Sequence, residues 1–148
     1  MEQLLHSGLT QMGLSTEGIP SLIRYADLLV EKNKVMNLTA ITEPGDIATL
    51  HFLDSVAMLT LADLKEKKMA DIGTGAGFPG MPLRIVEPSI RLTLLDSLNK
   101  RIDFLKEVCW TMVQEQAISR TLWCVRDGKS RLLRKVRKLV RLLKSNLD

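Results

Sequence analysis

The sequence is short of the residues that usually carry a small protein's chemistry. It has two cysteines, Cys109 and Cys124, without metal-ligand spacing, and only two histidines. That argues against a disulfide framework or a zinc site and points to a reducing compartment, the cytoplasm. Aromatic residues make up 4% of the chain, which disfavours an RNA-binding sheet built on stacking rings. No apolar run approaches the roughly 18 residues of a membrane span. The start, Met1-Glu2-Gln3-Leu4-Leu5-His6, has no basic segment followed by an apolar stretch, so it does not read as a signal peptide. Internal repeats and low-complexity linkers are also missing.

What remains is ordinary in amount and uneven in placement. The 148 residues are 45% apolar and 26% charged, which fits one folded domain and excludes a disordered chain. The net charge of +4 divides sharply. Residues 1–108 hold 11 Lys+Arg against 14 Asp+Glu, a balance of −3; residues 109–148 hold 10 against 3, a balance of +7. An acidic body carries a basic tail.

Apolar spacing predicts the elements. Residues 2–13 form a short helix with Leu4, Leu5, Leu9 and Met12 on one side, weakened by Gly8. A second helix opens at Gly18-Ile19-Pro20-Ser21 and runs to about Asn33. Asn33 to Thr42 reads as a loop or a short extended piece. Glu43-Pro44-Gly45-Asp46 starts a third helix, Ile47 to about Leu61. Met69-Ala70-Asp71-Ile72 is a buried-strand candidate that runs into the glycine-rich stretch 73–80. A helix from Met81 to about Val86, a strand Arg91–Asp96 and a helix from Leu98 to about Met112 follow. Strand, glycine loop, helix, strand and helix form a βαβ unit, so the fold class is α/β with a helical layer in front of a doubly wound sheet.

The loop is the most informative feature. Glycines leaving a strand let the backbone turn tightly and let a ligand lie against it. Dinucleotide enzymes space them G-x-G-x-x-G around a pyrophosphate. Here Gly73, Gly75 and Gly77 give G-x-G-x-G, and the dinucleotide oxidoreductase becomes the weakest alternative. The variant suits S-adenosylmethionine, whose ammonium Asp71, at the strand end, can attract directly or through water. Asp96 ends the second strand, 23 residues after Gly73, where an acid accepts hydrogen bonds from ribose hydroxyls. The competing reading makes Asp96 a cap for the helix at Leu98.

Four blocks then resemble a known family: NLTAIT (37–42), HFLDS (51–55), DIGTGAGFPGMPLRI (71–85) and LLDSLNKRIDFLKEV (94–108). Together they look like the guanine-N7 methyltransferase of bacterial small-subunit ribosomal RNA, the glucose-inhibited division protein B family, over roughly residues 1–108. The resemblance implies a Rossmann-like S-adenosylmethionine-dependent methyltransferase fold with an N-terminal helical extension. It implies small-subunit ribosomal RNA or the small ribosomal subunit as partner, no membrane, a cytoplasmic monomer when complete, and no metal. By motif, Gly73 and Phe78 fall on the family's cofactor contacts, and Gly75, Gly77, Asp71 and Asp96 share that pocket. No catalytic acid–base pair is expected, because guanine N7 carries a lone pair and no proton.

Several substrate-side readings stay open. His51, with Asp54 three residues on, is either a substrate-face residue or an imidazole packed near the sheet. Asn37 resembles a family loop beside the cofactor, or is a turn or cap residue. Lys100 and Arg101 face RNA phosphates, or form a solvated helix face.

The resemblance stops near Val108. The family's G-R-A-E and V-S-R-A blocks do not occur in residues 109–148. The expected organisation is a helical extension 1–66, the first half of a methyltransferase domain 67–108, and a divergent tail 109–148. The tail reads as a frameshift product. Codons fitting GKSRLLRKVRKLVRLL (128–143), read one nucleotide later, can encode ERADYSEKFENLCVS, close to the missing family order; the gene's nucleotide sequence tests this. As it stands, the tail predicts a basic amphipathic helix from Lys129 to Leu147. With an unpaired sheet edge and no adenine-side block, weak cofactor binding is expected. The alternatives are a small-molecule methyltransferase, separable by its acceptor, and a noncatalytic RNA- or membrane-binding protein that uses the basic helix.

Overall fold

The computed structural model describes residues 1–114 and 123–127. The tail readings beyond Asp127, the amphipathic helix and the frameshifted stretch, lie outside the described residues. Helices come first in the chain: α1 (Glu2–Gln11) and α2 (Ile19–Met36). Pro20 sits in the first turn of α2, where its missing N–H costs nothing. The helix ends at Asn37, whose φ of 49° makes it a left-handed cap.

The third helical region departs from one continuous helix. It is a series of short pieces: α3 (Pro44–Asp46), a π-wound segment (Ile47–Leu53), α4 (Asp54–Val56) and α5 (Met58–Leu61). Its apolar positions still point inward, with Ile47, Ala48, Phe52 and Val56 buried. Gly8 is where α1 meets this region: a Cβ there would lie 2.5 Å from Leu53 Cδ1. The glycine that weakens α1 as a helix therefore lets it pack closely.

The sheet holds β1 (Lys68–Ile72), β2 (Arg91–Asp96) and β3 (Trp123–Asp127), all parallel, with β2 in the centre. Asp71 pairs with Leu94 and Ile72 with Leu95. The crossover between β1 and β2 carries α6 (Gly80–Val86), and α7 (Asn99–Gln114) lies between β2 and β3. α7 runs past residue 108, as the expected helix from Leu98 to about Met112 does, while β3 is a strand in the stretch read only as divergent tail.

Leu5 and Leu9 of α1, Leu22 and Leu29 of α2, Leu92 and Leu94 of β2 and Phe104 and Leu105 of α7 belong to one buried cluster. At roughly 1.5–3 kcal/mol for each large apolar side chain buried, this shared core is the main stabilising term. Tyr25 lies at its centre, stacked with Phe52, Phe78 and Phe104 at centroid distances of 5.6, 5.5 and 6.4 Å.

Candidate cofactor loop and neighbouring cleft

The loop Gly73–Pro79 sits on the carboxyl ends of β1 and β2. The Gly73 and Thr74 N–H groups both donate to the Leu95 carbonyl, at 2.8 and 3.1 Å. Asp71 Oδ2 accepts from the Thr74 hydroxyl at 2.7 Å and from the Gly80 N–H at 3.0 Å, tying the loop's start to the head of α6. Asp96 Oδ2 accepts from the Gly75 N–H and Oδ1 from the Leu98 N–H, each at 2.9 Å. Arg101 stands 3.5 Å from Asp96 Oδ2. Asp96 is therefore both a loop anchor and the start of a local turn that leads into α7, and two of a carboxylate's roughly four acceptor positions are taken by N–H groups.

Two glycines are needed here for different reasons. Gly77 has φ +110°, and a Cβ on it would collide with the Tyr25 hydroxyl and lie 2.7 Å from Met81 Cγ and 2.9 Å from Leu105 Cδ2. Gly73 has φ +79° and no atom within 4 Å of where its Cβ would be. Gly77 lets the loop settle onto the core, while Gly73 leaves open space on its outer side.

Tyr25, missed in the sequence, fixes the loop from below. Its hydroxyl donates to the Ala76 carbonyl, and burial raises its pKa well above the usual value. A sequence signal existed: it is the only tyrosine in an aromatic-poor chain, at a core-facing position of α2. Burial also raises the Asp71 carboxyl; the Thr74 and Gly80 hydrogen bonds oppose this, and the neighbouring Asp96 charge adds to it. Arg84 is fully buried in α6, and burial lowers its pKa. Burial pushes the Cys109 thiol up to about 12, so it stays protonated and unreactive.

The NLTAIT and HFLDS blocks meet beside the loop. His51 stacks on Phe78 with ring centroids 4.3 Å apart and planes 10° apart. Its Nε2 is 2.8 Å from the Thr39 hydroxyl, which also accepts from the Ile41 N–H at 3.0 Å. Burial lowers the His51 pKa and favours the neutral ring. The Asn33 amide oxygen accepts from the Leu38 and Thr39 N–H groups at 2.6 and 2.9 Å, which sets the block's path. A cleft of about 420 Å³ opens along this wall, lined by Leu50, His51, Asp54, Met58, Phe78 and Pro79 among others.

Gly73, Gly75, Gly77, Asp71 and Asp96 thus gather at one end of the sheet, with Phe78 and His51 adjoining. Asn37 caps α2 and leads into the block that reaches His51. The two helix cations turn to the protein: Lys100 Nζ donates to the Met36 carbonyl at 3.0 Å, at the end of α2, and Arg101 pairs with Asp96. Among the described residues no group of three or more His, Cys, Asp or Glu could hold a metal ion, and no helix is long and apolar enough to cross a membrane.

Known proteins share much of this sequence. The family model GidB, rRNA small subunit methyltransferase G, matches residues 18–121, so the family pattern continues past residue 108. The protein named ribosomal RNA small subunit methyltransferase G in Alkaliphilus oremlandii is 60% identical over 92 residues, covering 62% of this chain and 38% of its own length. Proteins of the same name from Alkaliphilus metalliredigens and Carboxydothermus hydrogenoformans are 48% and 47% identical, each over 110 residues. Those matches cover 72% and 73% of this chain, and 46% and 47% of the relatives. The chain thus spans less than half the length of these curated relatives. With the glycine loop and both polar blocks inside the matched span, the chain belongs to the GidB family, rRNA small subunit methyltransferase G.

Proposed function

We propose that this chain is the donor-holding, acceptor-facing part of an enzyme that transfers a methyl group from S-adenosylmethionine to N7 of a guanine in small-subunit ribosomal RNA. The carrying observation is the pair Asp71 and Asp96 near the carboxyl ends of adjacent parallel strands, Asp96 two residues beyond the partner of Asp71, each hydrogen-bonded to the glycine loop. Burial and the Asp96 charge both penalise the Asp71 carboxylate, and a cationic ligand relieves both. The open space at Gly73 admits a ligand's close approach. The residues fit S-adenosylmethionine: Asp71 for its ammonium, Asp96 for its ribose, Gly73, Gly75 and Gly77 along its backbone-facing side, and Phe78 as a flat wall. When bound, it supplies an activated methyl on a sulfonium.

The chain's own task is then placement. Guanine N7 needs no base to remove a proton, so the chain contributes by aligning acceptor and donor and excluding water. The parallel sheet with its loop at the strand ends supports a Rossmann-like architecture. In this reading residues 1–66 form a helical extension, 67–108 the first half of the methyltransferase domain, and 109–148 a basic tail. The working site is cytoplasmic, and the complete enzyme acts as a monomer on the small subunit.

A chimera tests the assignment. Residues 1–114 of this chain, joined to the C-terminal part of the Alkaliphilus oremlandii relative, should place one methyl on guanine N7 of small-subunit RNA, read by mass spectrometry of nucleosides. Methylation at another atom, or only of small amines, would contradict it.

A further inference from the structure

We propose that the cleft beside the loop is a nucleobase seat that selects guanine, in which the Asp54 carboxylate takes the base's N1–H and N2–H donors. This rests on the guanine-N7 reading and adds to it the residues that would recognise the acceptor.

Position comes first. Phe78 and Pro79 end the glycine loop and also line the cleft, so a base held there borders the place proposed for the donor. The volume of about 420 Å³ falls within the range of roughly 300–1,000 Å³ typical of small-molecule pockets. Its wall is flat, because the His51 ring lies parallel to Phe78 and Thr39 fixes the imidazole. Unpaired bases are bound by stacking on such surfaces and by hydrogen bonds to their Watson–Crick edges.

The carboxylates at the two places differ. Asp71 and Asp96 are hydrogen-bonded within the chain. Asp54 lines the cleft and is exposed, and its carboxylate has neither a hydrogen bond nor an ion pair among the described residues. The backbone presents it unusually: the π-wound segment carries His51 and ends where Asp54 begins, and the Ser55 hydroxyl bonds the His51 carbonyl. Such windings recur at functional sites.

Chemistry then chooses the base. A carboxylate only accepts hydrogen bonds and can receive two parallel N–H donors. Guanine offers that pair at N1 and N2. Adenine presents an acceptor at N1, which a carboxylate repels. Guanine N7 lies on the opposite side of the purine and is left free for the methyl donor.

The test titrates the full 148-residue chain, labelled at the methionine methyls and at backbone amides, with guanosine, inosine and adenosine 5′-monophosphates. Guanosine monophosphate should shift the Met58 methyl and the His51 and Asp54 backbone amide signals. Inosine monophosphate, lacking the N2 amine, should bind more weakly. Adenosine monophosphate should bind at least roughly tenfold more weakly, as for a lost hydrogen bond to a charged group. Asp54→Asn should abolish the preference and leave the melting temperature unchanged, since Asp54 is exposed. Equal binding of guanosine and adenosine monophosphates, absence of any Met58 shift, or unchanged selectivity in D54N overturns the proposal. A parallel titration with S-adenosylmethionine, read at the Gly73 and Gly75 amides, separates the two readings. Cofactor shifts without guanine-selective shifts defeat the base seat alone; guanine-selective shifts without cofactor shifts defeat the donor site and leave the seat standing.

Discussion

The glycine loop and the cleft beside it are built on opposite principles. In the loop, Asp71 and Asp96 receive the Gly75, Gly80 and Leu98 N–H groups and the Thr74 hydroxyl. In the cleft, one wall is held by Thr39, while the Asp54 carboxylate has no partner among the described residues. The first is fixed by the chain itself; the second is left for something else to complete. Preorganisation suits a cofactor that returns in the same pose at every turnover, and an open carboxylate suits a base that must be tested before it is accepted.

Substitutions can break this contrast, beginning with the largest effect. Gly77→Ala should destabilise by about 3 kcal/mol in urea unfolding, from left-handed strain together with overpacking against Met81 and Leu105. Gly73→Ala has room for its Cβ and should cost only about 1 kcal/mol, while weakening S-adenosylmethionine binding more than that small stability loss explains. If the two glycines prove equal in stability, the division between core side and ligand side fails. Tyr25→Phe removes the donor to the buried Ala76 carbonyl and should cost about 1–3 kcal/mol, with the loop amides losing hydrogen-exchange protection.

Two smaller effects depend on pH. The Asp71 pKa is raised in the folded chain, so its contribution to stability is full below 3.8 and is lost as pH rises through the folded value. Asp71→Asn keeps an acceptor for Gly80 and should match or exceed the wild-type melting temperature at neutral pH, while losing cofactor affinity. The His51 pKa is lowered, so its contribution is full above 6.5 and is lost as pH falls through the folded value. His51→Gln should flatten the melting temperature between neutral and mildly acidic pH; an unchanged slope would mean the ring is not held neutral by its surroundings.

The regular elements were legible where local pattern decides them. The apolar run closed by Asp96 gave β2 its bounds, Arg91–Asp96, without error, and β1 begins one residue before the expected Met69. The third helix kept its inward positions and lost its continuity, because apolar spacing records which face is buried and not which carbonyl each N–H bonds. β3 went unread because the change of charge sign near residue 108 hid a short apolar run, Leu122 to Val125. At the site, the glycine spacing and Asp96 were visible as chemistry. The contacts Tyr25 to Ala76, Lys100 to Met36 and Thr39 to His51 join elements 51, 64 and 12 residues apart, and only packing brings them together.

Titration of the full chain with S-adenosylmethionine, followed at backbone amides, tests the central claim most directly. The account predicts weak binding whose shifts concentrate at Gly73, Gly75 and Gly77 and diminish in Asp71→Asn. Shifts centred elsewhere, or undiminished in that variant, would contradict it.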